Sequence, residues 1–412
     1  MPRGRNICPR DVTVVNTALI LPPTAASFRS IVGVPLIQRT ILSALRSGFE
    51  RVVVMPGDDR EQLQTLLASD PRTRSVELAP GPPAGVVREG QVALLPGDCL
   101  VTSHTLNRVY DTRLAEHPMV FEGATADESL VLCRAATLVQ LDGALRSDAA
   151  ARTTRLHALG AVTASLNGDL CVRVVDEPSA RAAEARLFAQ LRAETAATDG
   201  PLARFDRFVS QWISRRLVHT RLRPNHITII GTSFGLVGAW CLGRGAHGLD
   251  ILGALLFLCA TIIDGCDGEV ARLKFQETPF GHDFDVITDN VVHVAIFIGM
   301  GLGQYRRNPG GDYGTLIALL LGGFACAAAA CYSCFLRHPA ASRVAAAPRT
   351  TRGKARSLLL RGFESLMNRD FAYLILLLAI ADRLHWFFWG AAFGTYGFAA
   401  ALLWVYRWRD DA

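Results

Sequence analysis

The hydrophobic pattern of the chain changes near residue 200. Before that point, short apolar segments alternate with stretches of helical periodicity, whereas beyond it the apolar runs approach the length of a membrane span. Strands are predicted at residues 14–21, 51–55, 91–95, 119–122 and 130–132, and helices at residues 34–47 and 59–68. This alternation predicts an α/β domain over residues 1–198 with a mostly parallel, Rossmann-like sheet.

The second half predicts an all-α bundle of six transmembrane helices within residues 225–412. The six apolar segments are residues 226–243, 248–267, 285–304, 314–336, 371–384 and 386–406. Residues 199–224 join the two halves. They predict an amphipathic helix lying on an anionic membrane surface, because Phe205, Phe208, Trp212, Ile213 and Leu217 can share one face beside several arginines. The alternative is an ordinary amphipathic surface helix.

Charge sets the expected orientation. The segment 337–369 carries eight arginine or lysine residues, whereas the turns at 243–248 and 305–313 carry few. Because basic loops stay in the cytosol, we expect a multi-pass protein of the cytoplasmic membrane with its N-terminal domain, acidic site and C-terminus all cytosolic. The formal charge of +6 favours anionic lipids as partners, and no motif for binding nucleic acid is present.

Four carboxylates stand at helical spacing within one short stretch: Asp264, Asp267, Asp285 and Asp289. The first two are three residues apart and the last two are four apart, so each pair lies on one helix face. Acidic residues at membrane depth are usually functional, and carboxylate oxygens suit hard divalent cations. The spacing predicts a helical hairpin that holds two Mg²⁺ or Mn²⁺ ions. The alternative is a solvated acidic loop.

The residues between the carboxylates suit a phosphate ligand. Gly268 and Ala271 are small enough to let a ligand approach, and Arg272 offers a planar cation. Gly281 is expected to break the chain before the second helix begins.

The pattern D-x2-D-G-x2-A-R-x8-G-x3-D-x3-D resembles the signature of the CDP-alcohol phosphotransferase family. The resemblance implies that Asp264, Asp267 and Asp285 ligate one metal ion, that Asp264, Asp285 and Asp289 ligate another, and that Asp289 acts as general base on the acceptor hydroxyl. It also implies contacts with the CDP-linked donor from Asn225, Thr228, Gly268, Ala271, Arg272, Thr278 and Gly281. For Asn225 and Thr228, which open the first span as P-N-x-x-T, the alternative is helix capping.

The first domain is similar to sugar-phosphate nucleotidyltransferases. Residues 33–55 and the segment ending at Asp98 carry the similarity, as does the segment 174–178. The loop at 22–29, however, lacks the glycines that would let backbone N–H groups cradle a triphosphate. The departure predicts a degenerate, non-catalytic domain.

The order of the two domains resembles bifunctional inositol-phosphate cytidylyltransferase and di-inositol-phosphate phosphate synthase proteins. Within that resemblance, Arg369 becomes a candidate for the phosphate of the acceptor, with Lys354 and Arg356 as further candidates. The positive-inside bias alone is the alternative for these three residues.

We expect a transferase that uses CDP-diacylglycerol or another CDP-alcohol and an alcohol or polyol-phosphate acceptor such as inositol phosphate. A homodimer is also expected, and Gly231, Gly235 and Gly238 could pack either within or between protomers. The competing hypotheses are the full bifunctional enzyme and a non-catalytic membrane scaffold or transporter.

Overall fold

The structure, a computed structural model, describes residues 17–407 apart from 80–86, 88, 113, 115–116, 142, 144, 146–148, 167–169, 197–200 and 338–369. The chain divides into two compact units, Met1–Leu191 and Arg192–Ala412. The first unit is α/β and the second is helical, as the hydrophobic pattern predicts.

The strands and helices of the first unit are short. The strands are β1 (Thr17–Ile20), β2 (Ser30–Ile31), β3 (Val34–Pro35), β4 (Arg51–Val54), β5 (Glu77–Leu78), β6 (Gln91–Leu95), β7 (Cys99–Val101), β8 (Met119–Glu122), β9 (Leu130–Arg134), β10 (Val162–Ser165) and β11 (Cys171–Arg173). The helices are α1 (Leu36–Arg46), α2 (Arg60–Ser69), α3 (Ser103–Asp111), α4 (Ala135–Leu141), α5 (Ala149–Ala158) and α6 (Glu177–Ala196), which runs past the unit boundary.

Within the described residues, a seven-stranded sheet with the order β10-β8-β9-β6-β1-β4-β5 forms the centre of this unit. Its pairings are parallel except for those of β9, which runs antiparallel to both β6 and β8. Side chains alternate between the two faces, so that Ile20 and Leu19 belong to apolar cores on opposite sides of the sheet. All five predicted strands and both predicted helices are present.

The second unit is built from helices only, within the residues that the structure describes. They are α7 (Pro201–Leu217), α8 (Pro224–Leu242), α9 (His247–Lys274), α10 (Pro279–Arg307), α11 (Tyr313–Arg337), α12 (Asp370–Ile380) and α13 (Leu384–Arg407). Helices α8 to α13 lie at the six predicted spans. Of the described helices, α9 and α10 are by themselves long and apolar enough to cross a membrane.

Small residues bring α8, α9 and α10 close together. A side chain at Gly238 would stand 2.8 Å from the carbonyl oxygen of Gly253, and one at Gly235 would stand 2.5 Å from Val292. The glycine face of α8 therefore packs within the protomer, which answers the question that the sequence left open. Phe257, Ile296 and Phe388 fill the centre of this helical core.

Helix α7 has an unusual distribution of polarity. Its buried side carries Asp206, Ser210 and Ser214, whereas Phe205 and Trp212 are more than half exposed. A helix of a soluble protein normally buries its apolar side, so this arrangement suits an apolar surrounding.

Candidate active site

The two helices of the acidic motif meet at a tight turn. Helix α9 ends at Lys274, and Phe275 follows in the left-handed conformation with a φ of 56°. Helix α10 begins two residues after Glu277, with Thr278 as N-cap and Pro279 in its first turn. The turn places the C-terminal part of α9 beside the start of α10, which brings Asp264 and Asp267 close to Asp285.

Three of the predicted metal ligands converge. Asp264, Asp267 and Asp285 each offer an oxygen, and these oxygens all lie within 4.8 Å of one another. Asp285 Oδ1 is buried and has no hydrogen-bond partner among the described residues. An all-carboxylate donor set with an unsatisfied buried oxygen fits a hard divalent cation, so the residues present suit the metal that the motif implies.

Asp289 stands one helical turn after Asp285 and is not part of that group of three. It lines a small adjoining cavity together with Asp264, Thr228 and Thr288. Its carboxylate lies 3.2 Å from Nδ1 of His293 and is about half exposed. Its assignment as metal ligand and general base stays a prediction.

Thr228 connects helix α8 to the acidic group. Its hydroxyl donates a short hydrogen bond to Asp267 Oδ2 and also lies 3.3 Å from the carbonyl of Pro224. Since the N-cap position of α8 is Arg223, neither Asn225 nor Thr228 caps the helix. The capping alternative is therefore wrong for both residues.

The predicted donor contacts line one cavity of about 320 Å³. This cavity also contains Asp267 and Asp285, so a ligand in it would face the acidic group. All seven residues predicted to contact the donor lie in its walls: Asn225, Thr228, Gly268, Ala271, Arg272, Thr278 and Gly281.

The sequence predicted that Gly281 breaks the chain before the second helix. This prediction is wrong. Helix α10 already begins at Pro279, because Thr278 supplies the cap and its Oγ1 accepts a hydrogen bond of 2.9 Å from the Gly281 N–H. The reason for a glycine here is space. A Cβ would stand 3.0 Å from Thr278 Oγ1 and 3.4 Å from Asn225 Oδ1, at the wall of the cavity.

The cavity has further polar walls that the sequence did not indicate. Gln276, Glu277 and His282 line it, and Gln276 Oε1 is buried without a hydrogen-bond partner in the part of the chain that the structure describes. These residues occupy spacer positions of the motif, where residue identity is left open. The signal in the sequence that could have predicted these residues as part of the site is their position beside Thr278 and Gly281.

The acceptor-phosphate candidates Arg369, Lys354 and Arg356 fall outside the described residues. The structure therefore adds nothing to their prediction.

In the first unit, Asp98 is paired with an arginine. Arg173 Nε donates to Asp98 Oδ2 at 2.8 Å, while Arg173 Nη1 donates a short hydrogen bond to Asp127. The Arg173 N–H donates to Glu128 at 3.1 Å. The hydrogen bond to Asp98 raises the pKa of Arg173, so the guanidinium remains a fixed positive charge among these carboxylates.

Residues 221–397 match the family of CDP-alcohol phosphatidyltransferases. The C-terminal part is also similar to proteins named "Bifunctional IPC transferase and DIPP synthase". The protein from Rubrobacter xylanophilus is 35% identical over 110 residues, which is 26% of this chain and 24% of the relative. The protein from Aquifex aeolicus is 32% identical over 105 residues, covering 25% and 23%. The protein from Archaeoglobus fulgidus is 34% identical over 94 residues, covering 21% and 18%.

The matched region thus spans a quarter or less of each of these curated relatives. The family match over residues 221–397 contains the acidic group, the cavity and the three closely packed helices α8, α9 and α10. The C-terminal part of this chain therefore contains a CDP-alcohol phosphatidyltransferase domain over residues 221–397.

Proposed function

We propose that the chain transfers a substituted phosphoryl group from a CDP-linked donor to an alcohol and releases CMP. The observation that carries this proposal is the cavity in which all seven predicted donor contacts face Asp267 and Asp285. The diphosphate of such a donor is suited by small residues that let it approach the backbone, by a guanidinium, and by carboxylates that bind a hard metal ion.

In the proposed site, Asp264, Asp267 and Asp285 would hold one Mg²⁺ or Mn²⁺ ion, and Asp264, Asp285 and Asp289 would hold a second. These ions would supply charge neutralisation for the diphosphate and for the departing CMP. The chain itself orients the ligands. Thr228 donates a hydrogen bond to Oδ2 of Asp267, which restrains the direction of that carboxylate.

The reaction exchanges one phosphorus–oxygen bond for another. The acceptor oxygen attacks the phosphorus that carries the donor's alcohol, and the bond between this phosphorus and the CMP oxygen breaks. Asp289 orients the acceptor hydroxyl and receives its proton, and Arg272 stabilises negative charge on the phosphates.

The membrane arrangement is proposed from several features together. Helices lie at all six predicted spans, and α7 exposes its aromatic side chains. We place α7 at the interface with the lipid head groups. The basic segment 337–369 then lies on the cytosolic side, together with the acidic site and the first unit.

The proposed donor is CDP-diacylglycerol or another CDP-alcohol, and the acceptor a polyol phosphate such as inositol phosphate. The polyol-phosphate acceptor follows from the resemblance of the domain order to di-inositol-phosphate phosphate synthases. Arg369 remains the first candidate to bind its phosphate, with Lys354 and Arg356 as weaker ones. A homodimer through the helical unit is also part of the proposal.

A bifunctional enzyme is the second candidate, because the relatives carry that word in their names. Two observations in the first unit weigh against it. Arg173 pairs with Asp98, where a metal-binding aspartate would be needed. The loop after β1 forms a 3-10 turn in which the N–H groups of Thr24, Ser27 and Arg29 bond within the turn instead of facing a ligand.

The test is a CMP-release assay on the purified full-length protein in detergent or bilayer discs. CDP-diacylglycerol and CDP-inositol would each be paired with inositol phosphate, glycerol phosphate, inositol or serine, with magnesium or manganese present. Release with one pair, abolished in Asp289→Asn, supports the proposal and identifies the substrates. Metal binding without release for any pair counts against it. Pyrophosphate release from CTP and inositol phosphate would revive the bifunctional alternative.

A further inference from the structure

His293 lies one helical turn after Asp289 on α10 and touches it twice. Its Nδ1 is 2.7 Å from the carbonyl oxygen of Asp289 and 3.2 Å from the carboxylate oxygen Oδ1. A carbonyl oxygen accepts hydrogen bonds only, and an ionised carboxylate does the same. The hydrogen between them must therefore come from the imidazole, so the contacts assign the proton of the ring to Nδ1.

The ring is held by apolar neighbours from two other helices. Phe257 of α9 meets it edge-on at 5.8 Å between ring centroids, and Phe371 of α12 lies at 5.4 Å. The His293 side chain is 18% exposed. Packing of this kind fixes the rotamer of the imidazole, and with it the direction in which Nδ1–H points.

The side chain of Asp289 is more exposed than the ring of His293. Its side chain is 52% exposed, and it lines the small cavity that it shares with Asp264 and Phe257. A carboxylate on the wall of a cavity can rotate about its terminal torsion unless a hydrogen bond restrains it. Hydrogen bonds from neighbouring residues that do not touch the ligand commonly set both the direction and the basicity of functional carboxylates.

We propose that His293 is a positioning residue for Asp289. Its Nδ1–H donates to the Asp289 carboxylate and keeps that carboxylate directed at the shared cavity. The inference rests on the proposed function, in which Asp289 acts on the acceptor. The competing explanation is a core histidine that bonds the backbone carbonyl alone.

The kinetic test compares His293→Phe with His293→Asn. Phenylalanine keeps the ring between Phe257 and Phe371 but removes the donor, whereas asparagine keeps an N–H donor near the position of Nδ1. We expect His293→Phe to lower kcat by roughly 10- to 100-fold with little change in the KM of the CDP-linked donor, and His293→Asn to recover much of the loss. His385→Phe, a histidine next to Trp386 far along the chain, is the matched control.

A kcat of His293→Phe within twofold of the wild type would overturn the inference. So would equal losses in the phenylalanine and asparagine variants when both keep the wild-type melting temperature.

A spectroscopic test does not depend on activity. ¹⁵N-histidine NMR of the purified full-length protein, with the signal assigned by its loss in His293→Phe, reports which ring nitrogen carries hydrogen. We expect a protonated Nδ1 whose shift changes in Asp289→Ala, because that variant removes the carboxylate and leaves the backbone carbonyl. A bare Nδ1, or a shift indifferent to Asp289→Ala, would overturn the inference. If the wild type released no CMP at all, the proposed function would fail and this result would still decide the role of His293.

Discussion

At the scale of single residues, the pairing of the acidic residues could be predicted from the sequence, because helical spacing alone places the two members of each pair on one face. Asp264 and Asp267 needed only their helix, and the structure joins them to Asp285. What the sequence could not provide were partners on other elements. The hydrogen bond from Thr228 to Asp267 joins residues 39 positions apart, and no local pattern encodes it.

That hydrogen bond can be tested directly. Thr228→Val removes the hydroxyl while keeping the shape of the side chain, so Asp267 loses its donor. We expect the Mg²⁺ concentration for half-maximal CMP release to rise by roughly 10- to 100-fold. Thr228→Ser retains the hydroxyl and should stay close to the wild type. Equal metal requirements for the valine and serine variants would contradict this role.

Gly281 gives a second prediction at this scale. Gly281→Ala would place a methyl group 3.0 Å from Thr278 Oγ1 and 3.4 Å from Asn225 Oδ1, at the wall of the donor cavity. We expect a higher KM for the CDP-linked donor with an unchanged melting temperature, measured by CMP release and thermal unfolding. Gly248→Ala, where a Cβ meets nothing within 4 Å, is the control. An unchanged donor KM in Gly281→Ala would show that the ligand does not approach this wall.

At the scale of elements, long periodic segments were predicted well and short ones were not. The five predicted strands and six helical segments carry enough apolar residues to be recognised. Strands such as β2 and β3 have two residues each, and their existence depends on pairing with each other rather than on a pattern. The start of α10 was misplaced because the Thr278 cap and Pro279 outweighed the breaking tendency of Gly281.

Two glycine substitutions in the helical unit are expected to change the stability in opposite directions. Gly299 of α10 lies against α8, whereas Gly394 of α13 has open space beside it. In Gly299→Ala, the new methyl group would stand 2.3 Å from the backbone oxygen of Ala239, which can yield only if the helices separate. We expect a loss of about 1–3 kcal/mol in stability. In Gly394→Ala, nothing lies within 4 Å, and the variant should gain about 0.4–1 kcal/mol from reduced freedom of the unfolded chain.

Melting temperatures of the detergent-solubilised proteins measure both substitutions. Equal stability of Gly299→Ala and the wild type would mean that the two helices do not approach as closely as described.

At the scale of the whole molecule, the two units have different chemistry. The sequence pattern of the first unit predicts a nucleotidyltransferase-like domain, but its Asp98 is paired with Arg173. The absence of glycines from the loop could be seen in the sequence. The pairing of Arg173 with Asp98 joins residues 75 positions apart, so only the fold reveals it. We therefore propose that the chemistry takes place in the second unit.

Asp98→Asn tests that assignment. If the first unit is non-catalytic, the variant should release CMP at the wild-type rate, and neither protein should form pyrophosphate from CTP and a polyol phosphate. Asp98→Asn would weaken an ion pair, so a lower melting temperature is expected without a change in kcat. CTP turnover that disappears in Asp98→Asn would instead assign catalysis to the first unit.

In the proposed function, the three converging carboxylates act on a CDP-linked donor. The most direct measurement is magnesium-dependent CMP release by the full chain, comparing wild type, Asp285→Asn and Asp283→Asn. Asp283 is exposed on the same helix and lies outside the acidic group, so it controls for the charge change itself. We expect CMP release by the wild type and by Asp283→Asn, and a loss in Asp285→Asn that added magnesium restores only in part. Equal release by Asp285→Asn and Asp283→Asn would contradict it.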